Sequence, residues 1–171
     1  MKNKRSLLLL ILTVSAAGVF AQTSATANAS ATIVTPISIS KTLDMNFGNV
    51  AVQTATGGTV VMTPGAVRSA TGGVTLPTTA GTVTAATFTV SGQATYTYSI
   101  TLPSTDLTIT SGSNTMAVNL FTSNPAATGS GTLSAGGTQT LTVGATLNVA
   151  AAQPAGLYTS ATPFTVTVNY N

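Results

Sequence analysis

Apolar and polar side chains alternate with a period of two along most of this chain. Ala25, Ala27, Ala29, Ala31, Ile33, Ile37 and Ile39 hold odd positions, and Thr26, Asn28, Ser30, Thr32, Ser38 and Ser40 lie between them. Successive side chains of a strand point to opposite faces, so this pattern is that of a half-buried strand. It predicts one long strand or two collinear ones over residues 25–39, with Pro36, which lacks an N–H, at an edge or a bulge. Leu43, Met45 and Phe47 carry the odd parity on to Gly48-Asn49. Further strands are predicted at residues 50–52, 59–63, 67–69, 74–76, 86–91, 95–102, 107–110, 116–122, 139–149 and 164–170. Gly57-Gly58, Gly72-Gly73 and Gly136-Gly137 are expected to supply the positive φ angles that tight hairpins need. No helical periodicity longer than a turn interrupts the series after the first 21 residues, and no fixed repeat marks a solenoid. The class is therefore all-β, and about ten strands with short turns form a β-sandwich in preference to a closed barrel.

The N-terminus follows another pattern. Lys2, Lys4 and Arg5 precede an apolar run over residues 7–14, small residues at 15–18, and Val19-Phe20-Ala21. That is the form of a secretory signal peptide over residues 1–21, cleaved before Gln22. About 14 apolar or small residues are too few for a membrane span, which takes roughly 20. No integral membrane segment is expected after cleavage. The chain then divides into an N-terminal strand segment over residues 22–34 and a sandwich domain over residues 35–171. The expected location is outside the cell or on a bacterial cell surface.

Charge narrows the function. With the signal removed, Lys41 and Arg68 face Asp44 and Asp106, and the chain has no Glu, His or Cys. Nucleic-acid binding needs several Lys or Arg to neutralise phosphates, so it is not expected. Acid–base, nucleophilic and metal chemistry lack their usual side chains, so no enzyme activity, cofactor or metal is expected. An exported chain without Cys must be held by packing and hydrogen bonds alone. A neutral chain with few charges also has little to keep its copies apart, so self-association is expected.

Four local features bear on chemistry. Phe88, Phe121 and Phe164 sit in predicted strands among aliphatic neighbours and read as core, at about 1.5–3 kcal/mol for each fully buried side chain. Tyr96 and Tyr98 share the parity of one strand face, and without any Trp nearby they read as packing rather than as a sugar platform. Asp44 and Asn46 fall short of the six to eight oxygens that Ca²⁺ takes, and Lys41 near them reads as a solvated strand end rather than half of a Lys–Asn amide crosslink. The alternations Thr87-Phe88-Thr89, Thr95-Tyr96-Thr97 and Thr165-Val166-Thr167 could build a flat ice-binding face only if stacked regularly, and their sequence intervals vary.

Several stretches together carry a resemblance. They are residues 31–42, with Pro36 and Lys41; Leu43-Asp44-Met45-Asn46-Phe47-Gly48; residues 88–93 with 96–102; residues 143–149; and Gly156-Leu157-Tyr158 followed by residues 164–170. In this order they resemble the bacterial family called domain of unknown function 4402, over nearly the whole chain after residue 21. The ending is also similar to spore-coat protein U-like domains and to pilins assembled through chaperone and usher pathways. The likeness rests on Gly156 and on a final strand with Phe164, Val166, Val168 and the penultimate Tyr170. The pilin resemblance implies an incomplete immunoglobulin-like sandwich, completed by an N-terminal strand donated from the next subunit. The donor face would then be Ala25, Ala27, Ala29, Ala31 and Ile33, and the partners would be other copies, a periplasmic chaperone and an outer-membrane usher. The chain departs from that pattern in having no disulfide and in carrying Ala where donor strands carry bulky residues. The expectation is a non-catalytic surface protein, a pilus- or filament-like subunit joined by β-strand addition. The alternative is a monomeric adhesion or glycan-binding module whose N-terminal segment pairs within its own sheet.

Overall fold

The structure, a computed structural model, describes residues 22–171, so the signal peptide expected over residues 1–21 lies outside the described residues. Met1–Thr32 and Ile33–Asn171 are separate units. Residues 22–32 carry no strand.

The second unit is all-β and has no helix among the described residues. Its strands are β1 (Ser38–Leu43), β2 (Ala51–Val52), β3 (Gly58–Met62), β4 (Arg68–Gly72), β5 (Val74–Thr75), β6 (Ala86–Ser91), β7 (Thr97–Thr101), β8 (Leu107–Ser111), β9 (Asn114–Asn124), β10 (Gly131–Thr132), β11 (Thr138–Val149) and β12 (Thr167–Tyr170). The organising strand is β11, the longest. Its first half pairs with β6 from Thr138↔Ser91 to Val143↔Ala86, and its second half pairs with β3 from Ala145↔Met62 to Val149↔Gly58. Its other edge pairs with β9, whose own outer neighbour is β8. With β1 beside β6 and β4 beside β3, this makes a curled antiparallel sheet of seven strands. A three-stranded sheet, β10-β7-β12, and a two-stranded ribbon, β2-β5, complete the fold.

Two apolar clusters follow from this division. Inward residues of β6 and the first half of β11, including Val90, Leu141 and Val143, meet Tyr98, Ile100, Val166 and Val168 of the small sheet's side. Val60, Val118, Ala145, Leu147 and Val149 form the second cluster with Val74 of the ribbon. Phe121 and Met45 touch both. The expected aromatic core is present, with Phe164 5.0 Å from Phe121 and 6.4 Å, edge-on, from Phe88.

Several expectations are corrected. The strand expected over residues 25–39 begins only at Ser38, where pairing with β6 starts at Ser38↔Ser91, because a strand must pair to satisfy its backbone. The last strand begins at Thr167, not at residue 164, because Phe164 turns into the core ahead of it. The two-residue β10 was not anticipated, being too short to show alternation. Of the paired glycines only Gly72 and Gly137 have positive φ. Gly58 is needed for another reason: a Cβ there would strike the backbone of Thr71 across the β3–β4 ladder.

Tyr96 and Tyr98 do not form a platform. Tyr98 is fully buried, while Tyr96 lies outside the strand, beyond Thr95 with φ 67°, and is exposed. The Tyr98 hydroxyl donates to Gln139 Oε1 at 2.7 Å, and the same oxygen accepts from Thr132 N at 2.9 Å, so one side chain of β11 ties down both β7 and β10. Burial pushes the Tyr98 hydroxyl above its ordinary value of 10.0. A raised pKa keeps the phenol neutral in the fold, so its contribution is complete below the unfolded value and is lost as pH rises through the folded one. Stability should therefore fall on the alkaline side, beyond the ordinary tyrosine range. Urea titrations across that range check this, and Tyr98→Phe should flatten the fall.

Candidate functional site

The residues of the C-terminal motif come together around β12. Val166 and Val168 point into the first cluster and are buried, each about 7 % exposed, and Phe164 packs beside them. Gly156 lies against Ser111 at the end of β8, where a Cβ would meet the hydroxyl. Tyr170 closes the strand as a clasp. Its hydroxyl accepts from Gln93 N at 2.5 Å and donates to Thr35 O at 2.7 Å, while Thr35 N donates to Gln93 Oε1 at 3.2 Å. Both backbone groups of Thr35 are thus held by side chains. Gly92 is required here, since a Cβ would run into the Tyr170 hydroxyl. Tyr96 packs edge-on against the same ring at 5.7 Å.

Ala25, Ala27, Ala29 and Ala31 lie in the strandless segment, and Ile33 is 93 % exposed. Strand edges are the surfaces such a segment could meet, and they differ. β1 has a register shift between Lys41 and Leu43, with the Lys41 ammonium 2.6 Å from Asp44 at the same end. β4 starts at Arg68, whose guanidinium donates to Phe47 O and Asn49 O. β8 is met on its outer side by Thr159, which exchanges two backbone hydrogen bonds of 2.8 and 3.0 Å with Thr110. β12 pairs with β7 alone, from Thr167↔Thr101 to Tyr170↔Tyr98, and carries no charge, proline or bulge.

The remaining polar candidates are engaged locally. Asp44 is taken by Lys41, an exposed pair contributing about 1 kcal/mol at most, and Asn46 Oδ1 accepts from Gly48 N at 2.8 Å. An open cleft of about 580 Å³ lies between the β7–β8 connection and residues 161–165, with Leu102, Leu107 and Phe164 in its wall. Asp106 at its rim accepts from Asn119 Nδ2 at 3.4 Å.

One arrangement was invisible in the sequence intervals. Ser38, Ser40 and Thr42 of β1, Thr87, Thr89 and Ser91 of β6, and Thr138, Thr140 and Thr142 of β11 lie side by side in the two ladders. The hydroxyls of Ser38, Ser40 and Thr42 donate to the carbonyls of Ser91, Thr89 and Thr87 at 3.4, 3.5 and 3.0 Å. Thr142 does the same to Asn124 O at 3.5 Å. These hydroxyls reinforce the sheet that carries them.

No curated protein and no solved structure matches this chain. The family model described as Domain of unknown function (DUF4402) matches residues 37–170, from the residue before β1 to Tyr170 of β12, and the chain belongs to that family.

Proposed function

We propose that this is a secreted, non-catalytic structural protein of the bacterial cell surface, a pilus- or filament-like subunit assembled by β-strand addition. The observation that carries the reading is an alternating segment, residues 23–34, that has strand periodicity and yet forms no strand among the described residues. An extended segment of this kind gains its main-chain hydrogen bonds by adding to a sheet edge. Natural sheets blunt their edges with charge, and the sandwich carries only Lys41, Asp44, Arg68 and Asp106 to do so. An assembly that uses its edges removes that liability. The two-sheet packing around the first cluster agrees with an immunoglobulin-like, pilin-like sandwich as the finer description of the fold. The export signal, a periplasmic chaperone and an outer-membrane usher belong to the same reading.

Electron microscopy of material sheared from cells tests it. Thin filaments that react with antibody to this chain are the expected result. Labelled monomers with no filament would favour a surface adhesion or glycan-binding module instead.

A further inference from the structure

Thr35 is tied to both sheets at once. Its N–H donates to the side chain of Gln93, in the turn that joins β6 of the large sheet to β7 of the small one. Its carbonyl accepts from the hydroxyl of Tyr170 at the end of β12, and that hydroxyl accepts from Gln93 N. The three residues close a triangle of hydrogen bonds. Tyr96 holds the Tyr170 ring edge-on, and Gly92 leaves the space that the hydroxyl fills.

The triangle stands at the head of a strand with few other holds. β1 starts three residues later, at Ser38, and pairs with β6 alone among the described strands, with a register shift between Lys41 and Leu43. The hydroxyl bonds from Ser38 and Ser40 to β6 are long, 3.4 and 3.5 Å. Ile37 and Ile39 are only partly buried against the first cluster. A pull along residues 22–34 reaches Thr35 before it reaches Ser38. Without the triangle the load would fall on the first rung, Ser38↔Ser91, and the ladder would open one rung at a time. With it the load divides between the Gln93 turn and β12, so bonds to two elements must break together.

We propose that Thr35, Gln93 and Tyr170 form a force-carrying clasp, which keeps β1 on β6 while residues 22–34 are under tension and lets β1 peel away as one unit once it opens. The filament reading supplies the source of the tension, and the proposal rests on it for that alone. Opening frees the nine residues 35–43, about 30 Å of chain at about 3.4 Å per residue. The ladders of β11 with β3, β6 and β9 stay intact. A filament of such domains lengthens under tension before any core unfolds.

Single molecules held at constant force test this. The chain has no Cys, so one Cys in place of the exposed Leu157 gives a unique attachment point, with the other handle at the N-terminus. The parent should lengthen in two steps, a first that frees about 30 Å of chain and a later one for the core. Tyr170→Phe keeps the ring and removes the hydroxyl. It should shorten the wait before the first step about tenfold, the scale set by losing a net hydrogen bond, and keep the second step. Gln93→Leu should act in the same way. Thr71→Val removes a hydroxyl pair of 2.7 Å between β3 and β4, far along the chain from Thr35, and should leave the first step unchanged. Hydrogen exchange reads the clasp without load: amides of β1 should exchange about tenfold faster in Tyr170→Phe through local opening, and those of β11 should not. Lengthening of the parent in a single step overturns the clasp. So does a first step that Tyr170→Phe and Gln93→Leu leave as slow as in the parent, or that Thr71→Val hastens equally. Those results leave the filament reading standing, since it is decided by filaments on cells. Cells without filaments, with a first step that still responds to Tyr170→Phe, overturn the filament reading alone.

Discussion

Removal of residues 23–34 should abolish multimers and leave a folded domain. Both apolar clusters are built from the second unit, and none of their buried members precedes β3. The melting temperature of the shortened chain should therefore stay within a few degrees of the full chain's, because exposed positions contribute little, typically within about ±0.5 kcal/mol each. Assembly should respond in the opposite way, since the added strand would have gone. Ile33→Asp sharpens the result. Ile33 is 93 % exposed in the single chain, so a carboxylate there is harmless until an interface covers it. Burying that charge without a partner then costs several kcal/mol or more. Sedimentation velocity and calorimetry on the same samples read the two quantities separately. If the full chain is monomeric at every concentration and Ile33→Asp only lowers the melting temperature, the segment closes its own fold and the filament reading fails.

The strands of the domain were legible because their apolar residues alternate and their partners lie in the same chain. Residues 86–91 and the run ending at Val149 show both conditions, and they became β6 and β11. Residues 25–37 have the alternation without the partner, and pairing cannot be read from periodicity. Alanine on the apolar face also withdraws much of the burial that would hold such a strand to its own domain. Glycine was ambiguous for a different reason. Gly72 is required by its φ of 66° and Gly58 by the closeness of the Thr71 backbone, and a sequence shows the same letter for both. The C-terminal motif could be picked out, yet the clasp it makes could not. Thr35 and Tyr170 stand 135 positions apart, and only the fold brings that hydroxyl to that carbonyl. The hydroxyl rows failed in the same manner, since sequence spacing between Thr-x-Thr stretches carries no information about cross-strand register.

Leu141→Ala should be among the most damaging single substitutions in the domain. Leu141 lies in the first half of β11 opposite Phe88 of β6, is fully buried, and points toward the small sheet, where Tyr98, Ile100 and Val168 close over the cluster. Phe88 opposite it is held between β1 and β11, so the surroundings cannot collapse far into the space left behind. Truncations of this kind cost about 2–5 kcal/mol, against a total stability of about 5–15 kcal/mol for a domain. Without a disulfide or any buried ion pair among the described residues, little else holds the two sheets together. Leu157→Ala is the control. That side chain is 81 % exposed, so its loss should change stability by less than about 0.5 kcal/mol. Urea unfolding of both variants beside the parent measures the difference. A cost below about 1 kcal/mol at Leu141 would mean that the small sheet does not pack on β11.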